Sequence, residues 1–394
     1  MLVEFFRIFR IFADMKIIFL FDAIARMGGM ERILTDKMNY FADVAKWEVH
    51  LITYQQGDHP FTFPLSKRVR HRDLGCRFVE LYKYNFVTRM VKRTLLERRL
   101  CRRFAKTVEE IDPDVIACTT YHTIDMKALN KCKTRALKTI ESHVSRANVV
   151  DLYGGGIIGR IRTWLEQCAT AREVRKADVL IALTEQDAHD WRRDVRTVVI
   201  PNIVSHYPAK INYAADSVHA IAAGRLSRQK GFDMLIEAWR TVHCSHPEWM
   251  LDIYGRGEME EGLNTMIADY GLTGIVTIYE PTEDIYTRYM ESGLFILSSR
   301  YEGFGLVIIE AMACGLPVVA FNCPYGPMMI MGEDNEWLVE AGNVQTLAEK
   351  VICLIEHPEV RRQLSEVNRE IARHYTAEAI MPMWERLYTT CREG

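Results

Sequence analysis

The 394-residue chain lacks the marks of several protein classes. Its ten cysteines include no C-x-x-C pair and are scattered through predicted strands and helices, so no disulfide framework is expected and the thiols read as those of a reduced cytoplasm. No G-x-G-x-x-G turn follows the first apolar strand with an acid about 20 positions on, which argues against a dinucleotide oxidoreductase. Helix-turn-helix, zinc and RNA-binding signatures are missing, so nucleic acid is not an expected partner. The most apolar later run, Leu306 to Phe321, is interrupted by Glu310 and Pro317 and is too short to span a bilayer.

What is present is an ordinary globular composition, 48% hydrophobic and 26% charged. The length exceeds what one core organises, so two domains are expected. Charge is unevenly placed: residues 1–200 hold 35 Lys and Arg against 25 Asp and Glu, leaving 15 against 27 for the remainder. A basic half beside an acidic half suits a protein that presents one domain to an anionic surface, and a membrane leaflet fits that surface.

Apolar runs at Ile17–Phe21, Val49–Thr53, Val115–Cys118, Lys138–Ile140, Val179–Ala182 and Val198–Ile200 alternate with helical stretches and predict a first parallel sheet. A second series starts at Ala220–Ala223 and continues through Leu251–Tyr254, Val276–Tyr279, Phe295–Leu297, Val318–Phe321 and Trp337–Val339. An α/β chain of two Rossmann-like domains follows, over residues 15–200 and 218–375, with a hinge at 201–217 and a ligand at the carboxyl ends of the strands. Residues 376–394 carry Met381, Trp384, Leu387 and Tyr388 at helical spacing and predict a terminal helix. Residues 1–14 stand apart. They read either as a misplaced start ahead of Met15 or as an interfacial helix with Phe5, Ile8, Phe9 and Phe12 along one stripe.

The densest signal lies between Leu294 and Phe321, where a strand, a glycine-punctuated turn (Glu302 to Gly305), a helix (Leu306 to Ala313) and a second strand form a βαβ unit. Amides at the start of that helix are open to a phosphate, and Gly303 and Gly305 let one come close. Glu302 stands at the turn and Glu310 lies deeper along the helix. A glutamate, seven residues and a second glutamate in this setting resemble the retaining glycosyltransferases of family 4, which have the GT-B fold. Gly224-Arg-Leu-Ser-Arg-Gln-Lys230-Gly, Gly28-Gly-Met-Glu-Arg32, Ile200-Pro-Asn202 and Asn322-Cys-Pro-Tyr-Gly-Pro327 extend the likeness over about residues 16–340. After Pro327 the chain has Met328-Met329 where the family commonly has a charged or polar residue, so the choice of donor sugar does not carry over.

The resemblance implies two Rossmann-like domains facing across a cleft, the second holding the donor and the first the acceptor, with the terminal helix packed back on the first. It implies that Arg225 and Lys230 grip the donor diphosphate with Gly28, Gly29, Gly255 and the backbone of Gly303, Phe304, Gly305 and Leu306. Glu310 would accept from ribose hydroxyls, and Glu302 would meet the transferred sugar. No metal or other cofactor is expected beyond a nucleotide-sugar co-substrate, by family habit a UDP-sugar. The family places a histidine after a middle strand of the first domain. His143 is preferred here, and His122 competes. A lipid-linked or surface-polysaccharide acceptor at the inner face of a bacterial membrane is implied. The basic helix around 83–106, with nine Lys or Arg and one acid among aromatic and aliphatic residues, supplies the contact with anionic lipid. Alternatives are a catalytically silent scaffold subunit of a polysaccharide assembly complex, a sugar phosphorylase, or a nucleotide-sugar epimerase.

Overall fold

A computed structural model describes residues 15–143, 157–211 and 213–392. The expectations for residues 1–14 lie outside the described residues. The strands are β1 Lys16–Leu20, β2 Glu48–Thr53, β3 Arg70–Asp73, β4 Val115–Thr119, β5 Leu137–Ser142, β6 Val179–Ala182, β7 Thr197–Val199, β8 His219–Ala223, β9 Met250–Tyr254, β10 Val276–Tyr279, β11 Leu294–Leu297, β12 Val318–Asn322 and β13 Leu338–Glu340. The helices are α1 Gly29–Asp43, α2 Phe86–Ile111, α3 Thr123–Lys131, α4 Ile157–Val174, α5 Glu185–Trp191, α6 Phe232–Ser245, α7 Glu260–Asp269, α8 Ile285–Glu291, α9 Leu306–Ala313, α10 Pro327–Met331, α11 Val344–Glu356, α12 Pro358–Arg373 and α13 Ala377–Arg392. A 3-10 turn, Phe78–Lys83, leads into α2.

The chain divides into two compact units. Unit 1 covers Met1–Pro201 with Met381–Gly394, and unit 2 covers Asn202–Ile380. Unit 1 holds a seven-stranded sheet in the order β3-β2-β1-β4-β5-β6-β7, and unit 2 a six-stranded sheet in the order β10-β9-β8-β11-β12-β13. Every pairing is parallel. The central strands β4, β6 and β11 are buried at every position, which explains their unbroken apolar spelling. In unit 1, α2, α3 and α4 cover part of the sheet, sending Leu100, Phe104, Met126, Leu129 and Val174 into its core. In unit 2, Trp239 of α6 packs fully buried, as do Phe295 and Phe321 of the sheet.

Both sheets reverse their strand order beside their first strand, between β1 and β4 in unit 1 and between β8 and β11 in unit 2. At such a reversal the connections leave in opposite directions and open a crevice outside the carboxyl ends of the two strands. The loops after β1, β4, β8 and β11 are therefore where ligands are to be sought.

The terminal helix α13 contains Pro382, and from Met381 onward it belongs to unit 1. Trp384 lies under the Lys37 ammonium at 3.8 Å, Tyr388 lies 6.0 Å from Phe41, and Tyr40 donates to Glu385 at 2.9 Å.

Candidate active site

In unit 2 the loop after β8 (224–231) and the loop after β11 (298–305) are laced together. Ser298 Oγ donates to the Lys230 carbonyl (3.0 Å), Gln229 Nε2 to the Tyr301 carbonyl (3.0 Å) and the Arg300 amide to the Gln229 carbonyl (2.8 Å). Arg300 grips Asp233 with two bonds of 2.8 and 2.7 Å. Gly231 has φ +65° and no room for a side chain: a Cβ there falls 2.0 Å from the Ser298 carbonyl oxygen. This close approach sets Lys230 beside Glu302, Nζ to Oε1 at 2.7 Å, with Ser299 Oγ donating to the same oxygen at 2.6 Å. Both side chains are largely buried, 17% and 6% exposed, so the pair sits in a weakly screened environment at the point of strand reversal.

The other expected residues of unit 2 are placed differently. Arg225 is exposed and bonded to Glu258 at 3.1 Å, while Glu302 is the partner of Lys230. Glu302 lies in the loop ahead of α9, whereas Glu310 lies in that helix and is buried among residues that include Cys314. Burial, then the nearby Glu310 carboxylate, pushes the Cys314 thiol up to about 12. Gly305 caps α9 at φ +95°, a conformation that favours glycine, and Leu306 begins the helix. The Phe304 ring is core, 5.7 Å from Tyr375, which leaves its backbone rather than its side chain for the loop. Gly255 is glycine because its Cβ would lie 2.0 Å from the Gly224 carbonyl, a packing reason that needs no ligand.

Sequence reasoning missed three contributors: Ser299, Gly231 and Gly326. A Cβ on Gly326 would meet the Phe304 carbonyl at 2.3 Å, so the loop after β12 closes on the turn that carries Glu302. The double serine before Arg300 and the glycine after Lys230 were the available signals.

In unit 1, Gly28 caps α1 with Gly29 as its first residue, in the loop after β1. His122 stands in the loop after β4, where its Nε2 is 3.4 Å from Asp22 Oδ2, a long contact for a hydrogen bond, and its side chain is 34% exposed. Asp125, fully buried behind it, donates its amide to the His122 carbonyl at 3.0 Å. Burial raises the Asp125 carboxyl to about 7. Burial works to lower the His122 imidazole, but Asp22 and Asp125 outweigh it and raise it above the usual histidine value.

His143 follows β5, one strand beyond the reversal. Its side chain is 5% exposed, and Nε2 is 2.9 Å from Glu141 Oε2. Glu141 also holds Lys37, which is buried on α1. Burial alone would lift the Glu141 carboxyl, but the Lys37 ammonium and the His143 imidazole hold it down at about 2. His143 is thus one member of a buried ionic cluster, and the more exposed histidine at the strand reversal is His122.

Asp-x-Asp, a spelling that can hold a metal ion, is found once in the sequence, at Asp112-Pro-Asp114. Asp112 caps α2 at φ 50°, and Asp114 Oδ2 accepts from the Lys16 amide at 2.8 Å. The pair pins the amino ends of β1 and β4, the edge of the sheet opposite to both candidate loops.

The family model described as Glycosyl transferases group 1 matches residues 206–371. An uncharacterized glycosyltransferase of Haemophilus influenzae is 26% identical over 94% of this chain and 99% of its own length. The amylovoran biosynthesis glycosyltransferase AmsD of Erwinia amylovora is 22% identical over 94% and 98%. Among solved structures, a point mutant of S. aureus TarM in complex with fondaparinux, alpha-GlcNAc-glycerol and UDP superposes with a TM-score of 0.74 at 17% identity, covering 95% of this chain and 99% of that one. Two Rossmann-like halves of seven and six parallel strands match the GT-B architecture of such enzymes. This chain is a glycosyltransferase, and its residues 206–371 are similar to the Glycosyl transferases group 1 family.

Proposed function

We propose that the protein is a retaining glycosyltransferase of family 4 type, moving a sugar from a UDP-sugar to a hydroxyl of a lipid-linked or surface-polysaccharide acceptor at the inner face of a bacterial membrane. The observation that carries this reading is the Lys230–Glu302 pair, held at 2.7 Å by two laced loops at the strand reversal of unit 2. The loosening of a diphosphate from its sugar builds negative charge on the leaving oxygens. Lys230 is the cation placed to meet that charge, with the amides at the start of α9 beside it. When donor phosphate takes the ammonium, Glu302 is released to accept from hydroxyls of the sugar. Arg225 swings from Glu258 to the distal phosphate, exchanging one exposed partner for another. Glu310 accepts from the ribose.

In unit 1 the role assigned to a histidine falls to His122 rather than to His143, because a contact to the reacting sugar needs an accessible ring. The family resemblance gives Gly28 and Gly29 a backbone contact with phosphate, and Gly28 caps α1 with no side-chain bond. In front-face retention the leaving phosphate oxygen takes the acceptor proton, and the protein contributes position and charge. UDP and an alpha-GlcNAc-glycerol bound by TarM, and the amylovoran pathway named for AmsD, support the donor class and a polymer acceptor. Among the described residues no helix is long and apolar enough to cross a membrane; the contact with anionic lipid falls to the exposed first turns of the basic helix α2.

The test is a panel of nucleoside diphosphates and their sugars scored by thermal shift. UDP and at least one UDP-sugar raise the melting temperature in wild type, and radiolabel passes from that sugar to a lipid or polymer fraction with the anomeric configuration kept. Stabilisation without any sugar transfer or donor hydrolysis points instead to a silent scaffold, and inverted product overturns the retaining assignment.

A further inference from the structure

The helical layer of unit 1 has two overhanging ends. Its helices α2, α3 and α4 all follow strands of one parallel sheet, so all start at the carboxyl edge where His122 lies. Glu97 of α2 is 3.7 Å from Lys127 of α3, and Thr170 of α4 is 3.5 Å from Thr123 at the start of α3. At about 1.5 Å per residue, α2 therefore begins roughly 10 Å, and α4 roughly 20 Å, beyond the first turn of α3. The overhanging turns carry large apolar side chains in solvent: Phe86, Val87 and Val91 on α2, and Ile161, Trp164 and Leu165 on α4. Phe86 is 74% exposed and Trp164 61%. Further along the same two helices, Leu100, Phe104, Ala171 and Val174 enter the core. The basic helix is therefore not one amphipathic surface: only its first turns face outward with apolar groups, and its second half is structural.

Cations ring the α2 overhang. Over residues 83–93 stand Lys83, Arg89, Lys92 and Arg93 with no acid. Arg89 lies 5.5 Å over the Tyr82 ring and Lys92 3.5 Å over the Tyr84 ring, so aromatic body and cationic head stand together, the arrangement that settles at a lipid headgroup. An apolar ridge of this kind in water needs a cover. We propose that the two overhangs form a membrane-docking edge which inserts into an anionic phospholipid leaflet on either side of the His122 loop. The occupant is a bilayer of anionic lipid because the apolar side chains of the α2 overhang are bordered by positive charge without acid, and those of α4 extend the same apolar edge. This deepens the acceptor reading of the proposed function and rests on it: a lipid-linked acceptor is met where the overhangs enter the headgroups.

Flotation with phosphatidylglycerol vesicles, and with phosphatidylcholine vesicles as the neutral control, tests the proposal at about 0.1 M and about 0.5 M salt. Wild type floats with phosphatidylglycerol at both, because insertion survives screening that removes charge attraction. The double variants Phe86→Ser/Val91→Ser and Trp164→Ser/Leu165→Ser each lower the bound fraction about 10-fold at the higher salt and leave UDP binding unchanged. No flotation of wild type at low salt, or both variants floating like wild type, overturns the proposal. So does a wild-type oligomer, seen by light scattering, that both variants dissociate while neither wild type nor variants bind vesicles, since the edge then belongs to a second copy. A UDP titration on the same proteins separates the two readings. Lost flotation with intact UDP binding sinks the docking edge alone, and absent UDP binding with intact flotation sinks the donor assignment alone.

Discussion

At the scale of single residues, the informative contrast is between two histidines that a sequence cannot rank. Both follow apolar strands, and only the packing shows that His143 serves a buried Lys37–Glu141 cluster while the His122 ring is partly exposed beside Asp22. His122→Ala is expected to lower turnover about 100-fold with the fold intact by circular dichroism. His143→Ala is expected to lower the melting temperature first. A His122→Ala enzyme with full turnover contradicts the assignment. Asp125 gives a second test through pH. Its carboxyl titrates at about 7 in the fold because of burial, against an ordinary value near 3.9 when unfolded. Below both values the proton is held in both states and nothing is lost. As pH rises from about 4 to about 7 the unfolded chain gives up a proton that the fold keeps, so stability declines by about 1.4 kcal/mol per unit. Asp125→Asn has no such group and is expected to show a flatter dependence of unfolding free energy across that window, measured by urea titration at several pH values. Equal slopes for the two proteins count against it.

At the scale of elements, most of both sheets was legible because parallel strands buried on two faces spell themselves as apolar runs. β6 and β10 fall on the expected residues, and the others shift by a residue or two at their ends. The missed element is β3, Arg-His-Arg-Asp, an edge strand that buries no run and so shows no periodicity. The helix α9 was readable from its glycine cap. What the sequence could not convey is that the loops after β8 and β11 interlock, because their bonds join residues about seventy positions apart, as in Lys230–Glu302 and Gln229–Tyr301. Nor could it show that Arg225 rests on Glu258, since both are charged residues of exposed loops. Gly231→Ala tests the interlocking. With φ +65° and the Ser298 carbonyl 2.0 Å from the new Cβ, the loops must part. Donor-dependent turnover is expected to fall at least about 10-fold, and the melting temperature to drop by a few degrees, consistent with about 1–3 kcal/mol of strain. Unchanged turnover contradicts the claim that this approach sets the site.

At the scale of the whole molecule, unit 1 is completed by the far end of the chain. Trp384 and Tyr388 of α13 close over Lys37 and Phe41, so the first domain is not finished until the last helix has been made. Glu141 is the counter-charge at that seam. Glu141→Gln leaves the Lys37 ammonium buried without a counter-charge and is expected to cost about 3–5 kcal/mol, seen as an earlier calorimetric transition. In wild type the same carboxyl, held at about 2, contributes stability that is complete above its ordinary value and is lost as pH falls from about 4 toward about 2. The division of charge, basic through residue 200 and acidic beyond it, is consistent with the proposal that unit 1 is the one to meet an anionic leaflet. The central claim is that Lys230, brought to Glu302 by the laced loops of unit 2, holds the diphosphate of a nucleotide-sugar. Calorimetric titration of UDP into wild type and into Lys230→Ala tests it most directly. The account predicts that wild type binds UDP and that the substitution weakens binding at least about 10-fold, about 1.4 kcal/mol or more. Equal affinity in the two proteins, or no UDP binding by wild type, contradicts it.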